Sequence, residues 1–318
     1  MTELLADIPE NPAPDWGHAA RFIALGGKAI RYALFPAQGR PLHGTVIILS
    51  GRNECIEKYF ETIRDLSARG LGAAIMDWRG QGGSDRLIRD PARGYIDSFQ
   101  QYVLDFEQFF ADHVLPDCRG PFYILGHSTG SLIALLAAPN LLNRVRRMVL
   151  VAPLLELTGQ PVSSTTLRRV SSLLYNLGLG SIYVSGGARP HGGAPFAANK
   201  LTTDLGRYTR NNILYDKAPH LAMGGPTVAW MHAACVAADT VRDPDFMARI
   251  QIPILMIAAG ADEVVSTRTV EDYARRLRLG SQLTIDGARH EILQEADVYR
   301  EQFFAAFDAF VPGESPEI

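Results

Sequence analysis

The chain has 318 residues, of which 47% are hydrophobic and 20% charged, with a formal net charge of −3. That balance is ordinary for a globular protein with a sizeable core, and the lack of a basic field argues against nucleic acid as a partner. Cys55, Cys118 and Cys235 have neither metal-ligand nor disulfide spacing, so reduced thiols and a cytoplasmic location are expected.

The N-terminal stretch MTELLADIPENPAPDWGHAARF has no basic region followed by an apolar run, so no secretory signal is read there. Nor does any uninterrupted apolar segment reach the roughly 18 residues of a membrane span. Residues 1–16 carry three prolines and read as an extended arm. The stretch ARFIALGGKAIRYALFPA then reads as two antiparallel strands around Gly26-Gly27. Apolar strands are predicted over residues 45–49, 72–77, 122–126, 148–152, 253–259 and 282–285. Helices are predicted over 57–69, 98–114, 267–277 and 298–310. In the second of these, Tyr102, Phe106, Phe109, Phe110 and Val114 recur at helical spacing as a core-facing stripe. Continuous apolar strands alternating with helices are buried on both faces. The expected fold is therefore α/β, a mostly parallel central sheet with an antiparallel N-terminal hairpin and helices on both faces.

The alternation breaks between about residues 154 and 238, where short helical patterns surround the glycine-rich SGGARPHGGAPF. Such an insertion before the last two core strands reads as a helical cap over the carboxyl edge of the sheet, where open α/β sheets place their sites. The chain thus divides into a first core part, 1–153, a cap, 154–238, and a second core part, 239–318.

Gly126-His127-Ser128-Thr129-Gly130 lies where a buried strand turns straight into a helix. A serine in so sharp a turn presents its hydroxyl at the sheet edge beside a helix N-terminus, and the flanking glycines let strand and helix approach closely. Such a nucleophile needs a base and a group that orients the base. Asp262 lies just past the carboxyl end of the strand PILMIAAG, with Glu263 and Asp286 as local competitors. His290 sits in the loop after the last strand. His18 and His43 precede the core strands, His113 is at a helix end, His127 is inside the turn, and His191, His220 and His232 fall in the cap. Acyl transfer also needs donors for a developing oxyanion: the main-chain N–H groups of Thr129, after the serine, and of Arg52, after the first parallel strand, are the candidates.

With these residues placed, the chain resembles the α/β-hydrolase superfamily over nearly its whole length, and more closely its lysophospholipase and monoacylglycerol lipase branch. The likeness rests on GRNECIEKY, DWRGQGGSDR, GHSTG, GADEVV and GARHEIL, together with LTTDLGRYTRNN and GGPTVAW in the cap. It implies a serine carboxylester hydrolase with Ser128, Asp262 and His290 as its triad, no cofactor and no metal. The substrate implied is an acyl ester of a lysophospholipid or monoacylglycerol. A small-ester or amide hydrolase with a compact pocket, and a catalytically inactive binding protein of the same fold, are the alternatives. Peripheral membrane contact through the cap and the oligomeric state stay open.

One departure stands out. Monoacylglycerol lipases carry His-Gly-x-Gly at the oxyanion loop, whereas this chain has Ser50-Gly51-Arg52-Asn53, as in bacterial lysophospholipase-like members. Asn53 replaces a glycine, which leaves the loop's backbone conformation open. The Arg52 side chain is open to two readings, binding an anionic headgroup or product carboxylate, or a structural pairing. Arg79, within DWRGQGGSDR, is read as an internally paired turn residue, and Cys55 as a packed thiol. Leu154, Leu155, Leu157, Leu173, Leu174, Leu177, Met223, Trp230 and Met231 are candidates for an acyl tunnel, most of them expected simply to pack the cap.

Overall fold

The computed structural model describes residues 4–158, 163–185, 187 and 193–311. Its centre is an eight-stranded sheet in the order β1-β2-β4-β3-β5-β6-β7-β8. β1 (His18–Ala24) and β2 (Lys28–Phe35) form the antiparallel hairpin. Gly26 and Gly27 at its tip have φ of 81° and 72°, left-handed conformations that glycine adopts without a Cβ penalty. β2 runs antiparallel to β4 (Leu71–Met76), and every later pairing is parallel. β3 (Gly44–Leu49), β4 and β7 (Ile254–Ala259) are buried along their whole length, as strands covered on both faces must be. β5 (Phe122–His127) and β6 (Val145–Val151) lie between β3 and β7, and β8 (Gly280–Ile285) closes the far edge.

Helices α1 (Phe60–Ala68), α2 (Phe99–Phe109), α3 (Leu115–Asp117) and α4 (Thr129–Ala137) belong to the first half of the sheet. Between β6 and β7 come α5 (Ser164–Asn176), α6 (Leu205–Lys217), α7 (Val228–Arg242) and α8 (Pro244–Ala248); α9 (Thr267–Arg276) and α10 (Asp297–Phe310) complete the chain. α1 and α10 are joined by Arg69 to Asp308, at 2.8 Å, and by Arg300 to Asp65. α7 enters the main core with Trp230, Ala233, Ala234 and Ala237, whereas α5 buries only Ser171.

Two of the differences from the predicted extents have a clear physical reason. β6 begins at Val145 rather than 148, because Arg147 folds over the Phe310 ring at 5.1 Å and donates to its carbonyl, so a stretch with two arginines, predicted to precede the strand, joins the sheet. The helix predicted over 98–114 starts as expected at a Ser98 cap but becomes π-helical over Phe110–Val114. The extra residue in that turn keeps Phe109, Phe110 and Val114 all in the core. The N-terminal arm is tied down, since the Ala6 N–H donates to Glu57 and the Asn11 amide to the Glu57 carbonyl.

Candidate active site

β5 ends at His127, α4 begins at Thr129, and Ser128 between them has φ 50° and ψ −110°. A non-glycine residue held there stores about 1–3 kcal/mol of strain. The surroundings enforce it: the Ser128 N–H donates to the Val151 carbonyl at 2.9 Å, and its own carbonyl accepts from Leu132 and Leu154. The flanking glycines are sterically required. A Cβ on Gly130 would sit 1.9 Å from the Leu49 carbonyl oxygen, and one on Gly126 would sit 2.9 Å from the Ser131 Cα. Gly130→Ala is expected to destabilise the fold by about 1–3 kcal/mol or more, read as a lowered thermal midpoint.

Asp262 follows β7 and is anchored by its own turn. One carboxylate oxygen accepts from the N–H groups of Val264 at 2.7 Å and Val265 at 3.0 Å; the other lies 2.8 Å from His290 Nδ1. Burial opposes the charge on Asp262, but the His290 hydrogen bond and charge, then the two amides, hold its carboxyl below the usual range. The competitors are elsewhere: Glu263 pairs with Lys200 at the surface, and Asp286 is exposed. Ser128, Thr129, His290 and Arg52 line one cavity of about 410 Å³, together with Leu154, Leu157, Trp230 and Met231. Leu173 and Leu177, among the tunnel candidates, are instead 59% and 64% exposed.

Part of the wall of this cavity is a buried seam of charge that sequence reasoning missed. Lys58 Nζ is 2.9 Å from Glu54 and 2.6 Å from Glu291. Tyr59 donates to Glu54 at 2.6 Å, and the Gly51 N–H in the loop after β3 donates to the same carboxylate. His127 faces Glu54 through Nδ1 and the His290 carbonyl through Nε2, each at 3.2 Å. Two acceptors on one imidazole are satisfied together only by the protonated ring. Consistent with that, although burial disfavours its charge, the Glu54 carboxylate holds the His127 pKa above its ordinary value. Burial likewise opposes the charge on Glu54, and Lys58 and His127 overcome it, keeping the carboxyl well below the usual range. Lys58 and His127 thus balance Glu54 and Glu291. Only the i, i+4 spacing of Glu54 and Lys58 was visible in the sequence, and that spacing alone reads as a solvated helix face.

Asn53, in the loop after β3, has a plain outcome. Asn53 adopts φ 59°, the left-handed region that asparagine enters more readily than most residues. It is held by its N–H to Gln81 at 2.7 Å, by its carbonyl to the Tyr215 hydroxyl at 2.8 Å, and by its side-chain oxygen to the Met223 N–H at 2.7 Å. Arg79 pairs internally with Asp105, and Cys55 is fully buried with its thiol pKa pushed up, chiefly by burial.

Residues 40–297 match the family described as serine aminopeptidase, S33. Over 306 residues the chain is 31% identical to lysophospholipase L2 of Escherichia coli K12, covering 93% of this chain and 88% of that protein. It is 30% identical over 268 residues to the probable lysophospholipase L2 of Haemophilus influenzae, covering 84% and 83%. Human monoglyceride lipase matches at 25% over 224 residues, covering 70% and 66%. Among solved structures, a soluble variant of the Saccharomyces cerevisiae monoglyceride lipase shares the fold, with a TM-score of 0.72 at 16% identity and 96% of each chain covered. Sheet order, strained serine turn and sequence matches agree: the chain belongs to the serine aminopeptidase S33 family of α/β-hydrolases.

Proposed function

We propose that this protein is a serine carboxylester hydrolase that cleaves acyl esters of lipids. The observation that carries the reading is the His290–Asp262 pair at 2.8 Å, with His290 opening on the same cavity as the strained Ser128. In this reading His290 takes the Ser128 proton as the hydroxyl attacks the ester carbonyl, and Asp262 orients the imidazole and stabilises its cation. The oxyanion is received by the main-chain N–H groups of Thr129, which as the first residue of α4 has no intrahelical acceptor, and of Arg52. The alcohol leaves with a proton from His290, and water, activated by the same ring, releases the acyl group from the serine. The test is labelling by a fluorophosphonate, followed by turnover of lysophospholipid and monoacylglycerol. A p-nitrophenyl ester series peaking at acetate or butyrate, without turnover of either lipid, would defeat the lipid reading.

The segment 154–238 acts in this proposal as a cap between core parts 1–153 and 239–318. Leu154 and Leu157 line both the catalytic cavity and a second one of about 530 Å³ that runs between the start of α5 and the end of α7. The acyl chain extends past these leucines. Leu157→Trp is expected to shift the preferred p-nitrophenyl ester toward shorter chains, and an unchanged chain-length profile would place the acyl group elsewhere.

Val170, Leu173 and Leu177 form one exposed apolar stripe along and just beyond α5, 48%, 59% and 64% exposed, next to exposed Leu179 and Ile182. Among the described residues no helix is long and apolar enough to cross a membrane. The stripe fits peripheral contact with a lipid surface, which is where long-chain substrates reside. Leu173→Glu together with Leu177→Glu is expected to reduce co-sedimentation with phospholipid vesicles severalfold; undiminished binding would assign contact to another face.

A further inference from the structure

The charged side chains lining the catalytic cavity are paired, with one exception. Lys58, His127 and His290 each face a carboxylate, but Arg52 has no carboxylate partner among the described residues. Its Nη1 donates to the Gly224 carbonyl at 2.9 Å, and its guanidinium carbon stands 5.6 Å from the Trp230 ring centre. Gly94 borders the same group closely, since a Cβ there would lie 3.3 Å from Nη1. That is one strong acceptor for a fork of five donors. Burial, opposed by Tyr102, pushes the Arg52 pKa down to about 10, so the group remains cationic at neutral pH, on a residue half-buried in the cavity wall. A partly desolvated cation without a counter-charge is unfavourable, and an anion that arrives with the substrate relieves that cost.

The position narrows the kind of anion. The main chain of Arg52 is the proposed oxyanion donor, so its side chain starts beside the scissile carbonyl. A phosphate separated from the acyl ester by a glycerol backbone falls within a side chain's reach of that point. An uncharged monoacylglycerol would leave the guanidinium unpaired. We propose that the Arg52 guanidinium is the phosphate anchor of a lysophospholipid substrate and so sets headgroup specificity. This rests on the ester-hydrolase reading above. Guanidinium and phosphate match as a planar fork to two oxygens, a geometry lysine does not reproduce.

The test compares wild type, Arg52→Lys and Arg52→Gln on 1-oleoyl lysophosphatidylethanolamine, 1-oleoyl lysophosphatidic acid and 1-oleoylglycerol, with thermal midpoints recorded for each variant. Wild type is expected to favour the two phosphate-bearing esters. In Arg52→Gln the ratio of kcat/KM for phosphate-bearing over glycerol ester is expected to fall by about 10- to 100-fold, as for loss of a charge-assisted hydrogen bond. Arg52→Lys should fall between, and answers the question alone if the glutamine variant does not fold. Glycerol 3-phosphate should inhibit wild-type hydrolysis of a short p-nitrophenyl ester and lose that effect in Arg52→Gln. An unchanged ratio, with all substrates lowered equally, would overturn the proposal and leave Arg52 as a brace between the oxyanion loop and Gly224. A change confined to inhibition by oleate would overturn it too, in favour of the product carboxylate. Failure of wild type on all three lipids, with Ser128 still labelled and short esters still cleaved, would sink the lipid-ester reading itself.

Discussion

Ser128→Ala is expected to lower kcat on a lipid ester by on the order of 10⁶-fold and to abolish fluorophosphonate labelling, with the thermal midpoint nearly unchanged. The residual rate should be that of a site that still binds ester and still presents the Arg52 and Thr129 amides, about 10³–10⁴ above water. Stability should survive because the turn is imposed by neighbours rather than by the hydroxyl: the Ser128 N–H and carbonyl bonds and the Gly130–Leu49 approach are main-chain features. Asp262→Asn should cost about 10⁴-fold, because the amide can still accept from Val264 and Val265 yet no longer favours the Nδ1–H tautomer of His290. Wild-type turnover by Ser128→Ala, or equal labelling of it, would remove the serine from the mechanism.

The second large effect is predicted for stability. Lys58→Met leaves Glu54 and Glu291 buried without their shared cation and should destabilise the fold by about 3–5 kcal/mol, with the midpoint falling by roughly 10 °C. The sign of its pH dependence follows from the directions of the shifts. In wild type the Glu54 carboxyl is held below its unfolded value, so its contribution is present above the unfolded pKa and is lost as pH falls. In the variant, His127 and Tyr59 still oppose the burial of Glu54 but Lys58 does not, so the folded carboxyl rises from its depressed value and less of this stability is present above it. The gap between wild type and variant should therefore narrow as the pH is lowered from neutral into the acid range in urea titrations. Adding Glu54→Gln to Lys58→Met should recover part of the loss. A gap independent of pH would show that the carboxylates are relieved by water instead.

The sheet, its hairpin and the serine turn were legible because their signals are local. Period-two and continuous apolar runs mark the strands, Gly26-Gly27 marks the turn, and G-x-S-x-G between strand and helix marks Ser128. Asp262 and His290 were reachable from topology, since both follow strands whose carboxyl ends meet at one edge of the sheet. The Glu54–Lys58–Glu291–His127 seam was not, because Lys58 and Glu291 are 233 positions apart and charged residues ordinarily signal surface. The same prior hid the two arginines at the start of β6. The π-turn at Phe110–Val114 escaped because five apolar residues at near-helical spacing do not reveal one extra residue per turn. For Asn53 the sequence posed the question, and the φ of 59° with three hydrogen bonds answers it.

Two of those three bonds, to Tyr215 and Met223, and the Arg52 bond to Gly224 all leave two adjacent loop residues for one stretch of the segment above. The amide that would stabilise the tetrahedral intermediate is thus braced from overhead. Were that stretch to swing outward, the loop would lose its clamp, and the reactive geometry would dissolve with it. A bulky ester that entered only with the clamp released would then meet an unbraced loop, so its admission and its cleavage would belong to different moments of the cycle.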